Sequence, residues 1–181
     1  MKSNFKIYLI SGKAHSGKST VANIIKELEE EKNNKFIITQ YSKYLKMYAH
    51  EIIDWNYEEN SKPRKFLQDI GYFIRFDLKM NDLFIKRMLN DIKIYENYAN
   101  GVIISDIRFK EEIEVIKKNF YNVTSINIKS NISQTTLTDA EKKHISENDL
   151  NDYNNFDYEI INNTSKESLK QKIKSIIEVS D

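Results

Sequence analysis

The chain has 181 residues, no cysteine and a formal net charge of +1. That length supports one good core and is short for two. Near-neutral charge argues against a nucleic-acid partner, the missing thiols exclude a disulfide framework and a thiolate metal site, and no apolar run reaches signal-peptide or membrane-span length. A soluble cytoplasmic protein is the expectation, and a homodimer is compatible with the size. Of 28 basic residues only Arg64, Arg75, Arg87 and Arg108 are arginine. Lysine, asparagine and isoleucine abound, so these four carry information. Arginine is the side chain suited to bidentate phosphate contact.

In chain order, Phe5 to Ile10 is a short apolar run, as a buried strand would be. It leads into Gly12-Lys13-Ala14-His15-Ser16-Gly17-Lys18-Ser19-Thr20. This stretch fits G-x-x-x-x-G-K-[ST], the phosphate-binding P-loop. Val21, Ile24, Ile25 and Leu28 follow at helical spacing. The loop therefore joins a strand to a helix, where such a motif works. Backbone N–H groups and the helix N-terminus would surround the phosphates of ATP. Lys18 would reach the β- and γ-phosphates, and the Ser19 hydroxyl would hold Mg²⁺.

Phe36 to Tyr41 reads as a second strand, and Ser42 as the N-cap of a helix through Ile53. Pro63 can open a helix carrying Phe66, Leu67, Ile70 and Phe73, and a further helix carries Leu83 to Ile92. Val102-Ile103-Ile104, ending in Ser105-Asp106, reads as a central parallel strand. A short helix around Ile113 to Ile116, a strand over Val123 to Ile128, a last strand over Tyr158 to Ile161 and an amphipathic helix over Ser165 to Val179 complete the pattern.

Strands alternating with helices imply a parallel α/β sheet whose ligands sit beyond the carboxyl ends of the strands. The P-loop, Tyr41-Ser42, Ser105-Asp106 and Asn162-Asn163 all follow strand ends, and should meet in one crevice. Residues 42–100 are too long for a simple crossover and read as a helical insertion over that crevice. Residues 129–151 read as a mobile flap.

Asp106 is placed to organise Mg²⁺, or to cap a helix. Arg108 could bridge donor and acceptor phosphates, or pair with Glu111 or Glu112 at the surface. Arg64 and Arg75 could bind an acceptor phosphate, or lie on a solvated face. His144 has no metal-ligand spacing to His15 or His50, which argues against zinc. Tyr41, Tyr44, Tyr48, Trp55, Tyr72 and Phe73 could stack on a base, although most tyrosines and phenylalanines here must serve the core.

These stretches, with Tyr41 to Lys46, Arg64 to Gly71, Ser105 to Phe109 and His144 to Glu147, stand in an order that resembles the phage-type deoxynucleoside monophosphate kinases. Ser-Asp-x-Arg and Leu-Lys-x-Tyr-Ala are also similar to animal-type phosphomevalonate kinase. The resemblance implies a nucleoside-monophosphate-kinase-like P-loop NTPase core: a parallel five-stranded sheet flanked by helices, with an acceptor-binding insertion and a lid. It implies that Lys18, Asp106 and Arg108 act in catalysis, with Ser19 and Asp106 on the metal. It implies ATP contacts from Gly12 to Thr20 and from Asn162 and Asn163, in a loop continuing to Thr164. Acceptor contacts would come from Ser42, Lys46, Arg64, Gln68, Arg75 and Arg108. The acceptor implied is a nucleoside or deoxynucleoside monophosphate, with phosphomevalonate the alternative. A nucleotide-binding regulator without turnover is a further one, since residues 129–151 contain no arginine and offer only Lys129, Lys142 and Lys143 as cations.

Overall fold

The structure is a computed structural model that describes residues 4–130, 138–163 and 165–179. Its centre is a five-stranded sheet in the order β2-β3-β1-β4-β5, with every neighbouring pair parallel. The strands are β1 (Lys6–Gly12), β2 (Phe36–Thr39), β3 (Gly101–Ile107), β4 (Val123–Lys129) and β5 (Tyr158–Ile161). The helices are α1 (Lys18–Glu31), α2 (Ser42–Ile53), α3 (Arg64–Tyr72), α4 (Leu83–Tyr95), α5 (Lys110–Asn119), α6 (Asp139–Lys143), α7 (Ile145–Asn148) and α8 (Lys166–Val179). No described helix is long and apolar enough to cross a membrane.

A strand sends successive side chains to opposite faces, and both faces here are apolar. Ile7, Leu9, Val102 and Ile104 point into one core, with Phe84, Met88 and Ile92 of α4 and Ile113 and Ile116 of α5. Tyr8, Ile10, Ile103, Ile126, Ile128 and Ile160 point into the other, with α1 and α8. Each fully buried isoleucine favours the fold by about 1.5–3 kcal/mol of transfer free energy, so this double layer fixes the sheet. It also fixes α4: Met88 and Ile92 are fully buried, so this helix belongs to the sheet's own covering layer.

Two local features differ from the sequence reading. Ser42 is the first helical residue of α2, and the capping position falls on Tyr41 with no side-chain cap bond. Helix α3 runs into a π-helical turn over Phe73–Asp77, which turns Ile74 and Arg75 inward and leaves Phe73 and Phe76 exposed. The flap expected over 129–151 falls partly on residues 131–137, and the loop expected to contact ATP continues to Thr164; residues 131–137 and Thr164 lie outside the described residues. The described part of the flap is α6 and α7.

Candidate active site

The loop between β1 and α1 has the backbone that its glycines permit. Gly12 has φ +150° and Gly17 φ +99°. A Cβ at Gly12 would lie 2.5 Å from the Ile128 carbonyl oxygen, and one at Gly17 2.3 Å from Asn162 Nδ2. Gly12 therefore excludes a side chain on conformation and on space, and Gly17 on conformation. His15 takes φ +61°, a left-handed conformation that histidine adopts more readily than most residues. Ser16 N–H closes the turn on the Lys13 carbonyl, and Asn162 Nδ2 donates to the Ser16 carbonyl at 2.9 Å. The loop after β5 thus buttresses the P-loop directly.

Lys18 Nζ donates to the carbonyls of Gly12 at 2.9 Å and Lys13 at 2.7 Å. Burial pushes the Lys18 ammonium down to about 8, and nearby Arg108 pushes the same way against the pull of Glu147 and Asp106. The Ser16 hydroxyl is buried with no partner. An ammonium destabilised by burial, an orphaned hydroxyl and a cradle closed to Cβ atoms fit the phosphate tail of a nucleotide. Among the described residues no cluster of His, Asp and Glu could hold a metal by itself. Mg²⁺ beside a P-loop needs none, because it takes most of its ligands from phosphate and water. Ser19 and Asp106 line the same cavity and fit that demand.

Asp106 stands at a bulge. Leu9 pairs with Ile104 and Ser11 with Ile107, so β3 carries an extra residue here. Bulges re-aim side chains beside sites. The Asp106 oxygens accept the N–H groups of Tyr41 at 2.7 Å and Ser42 at 2.9 Å. Asp106 therefore caps α2 from the neighbouring strand, and it lines the cavity that it shares with Lys18 and Lys46.

That cavity, of about 470 Å³, is where the sequence candidates meet: Lys18, Ser42, Lys46, Arg64, Gln68, Arg75, Asp106 and Arg108 all line it. Lys46 Nζ donates to Gln40 Oε1 at 2.9 Å. Its basicity is lowered by burial and by Lys62, with Asp106 and Glu59 opposing. Arg64 meets Glu59 at 3.2 Å. Arg75 is different. It is buried, pairs with Glu112 at 2.6 Å and lies over the Phe109 ring at 4.0 Å. Its fork is committed within the protein. The other Glu112 oxygen accepts the N–H groups of Arg108 at 2.9 Å and Phe109 at 3.2 Å. Arg75 thereby supports the turn that presents Arg108. Burial pushes the Glu112 carboxyl up to about 7, with Arg75 and the two amides resisting.

Lys62, for which the sequence pattern offers no motif, also lines this cavity. It follows a 3₁₀ turn over Glu59–Ser61, bonds both Glu59 oxygens at 2.9 and 3.0 Å, and sends its charge toward Lys18 and Lys46. Its neighbour Pro63 was the only signal nearby. Glu147 was also left without a role. It pairs with Arg108 at 2.6 Å, so where Arg108 does form an ion pair its partner is neither Glu111 nor Glu112. Asn163 is exposed, and Lys142 pairs with Asp139 at 3.2 Å on the surface.

No protein-family model and no curated protein matches the sequence. Solved structures do. Shikimate kinase from Aquifex aeolicus matches with TM-score 0.51 at 19% identity, over 97% of this chain and 97% of that one. Dephospho-CoA kinase from Campylobacter jejuni matches with TM-score 0.51 at 17% identity, over 97% of each chain. Shikimate kinase from Bacteroides thetaiotaomicron matches with TM-score 0.50 at 15% identity, over 96% of this chain and 98% of that one. Identities this low speak for the fold and not for one acceptor or for the phage-type kinases in particular. With the parallel sheet and the strand–loop–helix cradle, they show that the chain has the α/β fold of P-loop kinases.

Proposed function

We propose that the protein transfers the γ-phosphoryl group of ATP to the phosphate of a small monophosphate, with a nucleoside or deoxynucleoside monophosphate as acceptor. The observation that carries this reading is a second group of cations. Lys46 of α2, Arg64 at the start of α3 and Lys62 just before it share one cavity with Lys18 and Arg108 of the P-loop side. Leu45, Leu67, Tyr72, Phe76 and Phe84 line the same cavity and suit a flat apolar group such as a base.

Chemistry favours a phosphate acceptor over a hydroxyl. A hydroxyl needs a general base within reach. The carboxylates lining the cavity are Glu59, Asp106, Glu112 and Glu147, and each is bonded to a cation or to backbone amides. A phosphate oxygen is already ionised and needs no base. It would attack the γ-phosphorus as the bond to the β-bridging oxygen breaks, leaving ADP. Catalysis then reduces to positioning and charge neutralisation. Lys18 and Arg108 would hold the transferring group, while Lys46, Lys62 and Arg64 would hold the acceptor. Ser19 and Asp106 would hold Mg²⁺, which when bound adds positive charge at the donor phosphates.

A coupled ADP-release assay against a panel of acceptors tests this. Turnover with a nucleoside monophosphate is expected. Turnover with phosphomevalonate alone would move the protein to that alternative, and ATP binding without turnover on any acceptor would make it a regulator.

A further inference from the structure

Glu147 is an acid on a polar segment, yet its side chain is only 9% exposed. Its carboxylate holds Arg108 Nη1 at 2.6 Å. Lys13, inside the P-loop, donates to the Glu147 carbonyl oxygen and to Asn151 Oδ1. Asp149 accepts the Lys110 N–H at 2.8 Å. The segment from α7 to Asn151 is therefore strapped to the core, and two of its anchors are the P-loop and Arg108. A second cavity, of about 450 Å³, lies between the P-loop, the end of β4 and this segment. Ala14, Arg108, Ser146 and Glu147 line both cavities, so the Arg108–Glu147 pair stands between them.

We propose that Glu147 is an internal competitor for the phosphate site, a latch whose carboxylate occupies Arg108 and must be displaced for nucleotide phosphates to bind. The proposal rests on reading the P-loop as the nucleotide site. Carboxylate and phosphate make the same demand on a guanidinium, for acceptor oxygens in its plane. The charge of Glu147 also reaches Lys13 and Lys18. A phosphate brought to those lysines beside an undisplaced carboxylate would meet like charge in a partly desolvated cavity. Displacement frees the strap at Arg108, so nucleotide entry and release of this segment are one event. The latch makes Glu147 the residue that links donor occupancy to the position of the segment from α7 to Asn151.

The test is binding of a fluorescent ATP analogue with Mg²⁺ to the wild type, Glu147→Gln and Asn151→Ala, with Lys18→Ala as control. Removing a charge-assisted bond that binding must break is expected to tighten Kd on the order of tenfold in Glu147→Gln. Asn151→Ala loosens the strap at its other end and should tighten Kd by a smaller factor. Hydrogen exchange over residues 145–151 should rise in both variants. Equal or weaker binding by Glu147→Gln overturns the latch, because a supporting residue would lower affinity when lost. If Glu147→Gln does not fold, an unchanged Kd in Asn151→Ala overturns it. Absence of binding by every protein overturns the nucleotide reading and the latch with it.

Discussion

Asp106 holds the first turn of the helix that begins at Ser42, with its two oxygens 2.7 and 2.9 Å from the Tyr41 and Ser42 amides. A single carboxylate thus joins the end of β3 to the start of α2. Asp106→Ala removes a charged cap and is expected to lower stability by about 1–2 kcal/mol in denaturant unfolding. Asp106→Asn keeps an acceptor oxygen but loses the charge. It should remain folded and need several-fold more Mg²⁺ for half-maximal turnover. An unchanged Mg²⁺ requirement would leave Asp106 with capping alone.

The depressed Lys18 predicts a pH effect. With a folded value of about 8 against 10.5 for an ordinary lysine, the unfolded chain holds more protons between those limits. Stability should therefore rise with pH through that window, as the cost of the buried ammonium is relieved. Nucleotide binding has the opposite sign. Phosphate favours the charged lysine, so Kd for Mg-ATP should weaken above pH 8 in the wild type. Lys18→Arg removes the titration, and its binding should be flat over the same range.

Arg108 and Arg64 should separate kinetically. Arg108 is held beside the P-loop by Glu112 through its backbone, so Arg108→Ala is expected to lower kcat by about 10³. Arg64 opens α3 and is proposed as an acceptor ligand, and Arg64→Lys keeps charge while losing the fork. Its effect should fall on the acceptor KM. Steady-state kinetics with varied acceptor at saturating ATP reads both, and a wild-type kcat for Arg108→Ala would contradict the placement.

The Arg75–Glu112 pair should act on stability. Both partners are buried. Glu112→Ala leaves a buried guanidinium unpaired and two amides unsatisfied, a loss of about 3–5 kcal/mol. Glu112→Gln retains an acceptor for the Arg108 and Phe109 amides and should cost less. Equal denaturant midpoints for the two variants would show that the charge carries the whole effect.

Much of this was legible in the sequence. The strand over Tyr158 to Ile161 was read with its observed bounds, because a short β-rich run between polar turns allows few alternatives. The P-loop was legible because its spacing encodes a backbone shape. Contacts that join distant segments were not. The bulge that turns Asp106 toward Tyr41 leaves no local mark, and β3 simply continues through Ile107. For Arg108 the sequence left a surface pair with Glu111 or Glu112 as the alternative to phosphate contact. The fold instead gives the Glu112 carboxylate to Arg75, thirty-seven residues away, and gives Arg108 to Glu147. Lys62 lay in a polar stretch between helices, where only the path of the chain brings it to the cavity.

The central claim is that the acceptor atom is a phosphate oxygen. The most direct measurement follows γ-labelled ATP into product and separates the products chromatographically. Label is expected in the terminal position of a nucleoside diphosphate, formed by the wild type and abolished in Lys18→Ala. Label appearing in an ester to a hydroxyl, with no diphosphate formed from any monophosphate offered, would contradict it.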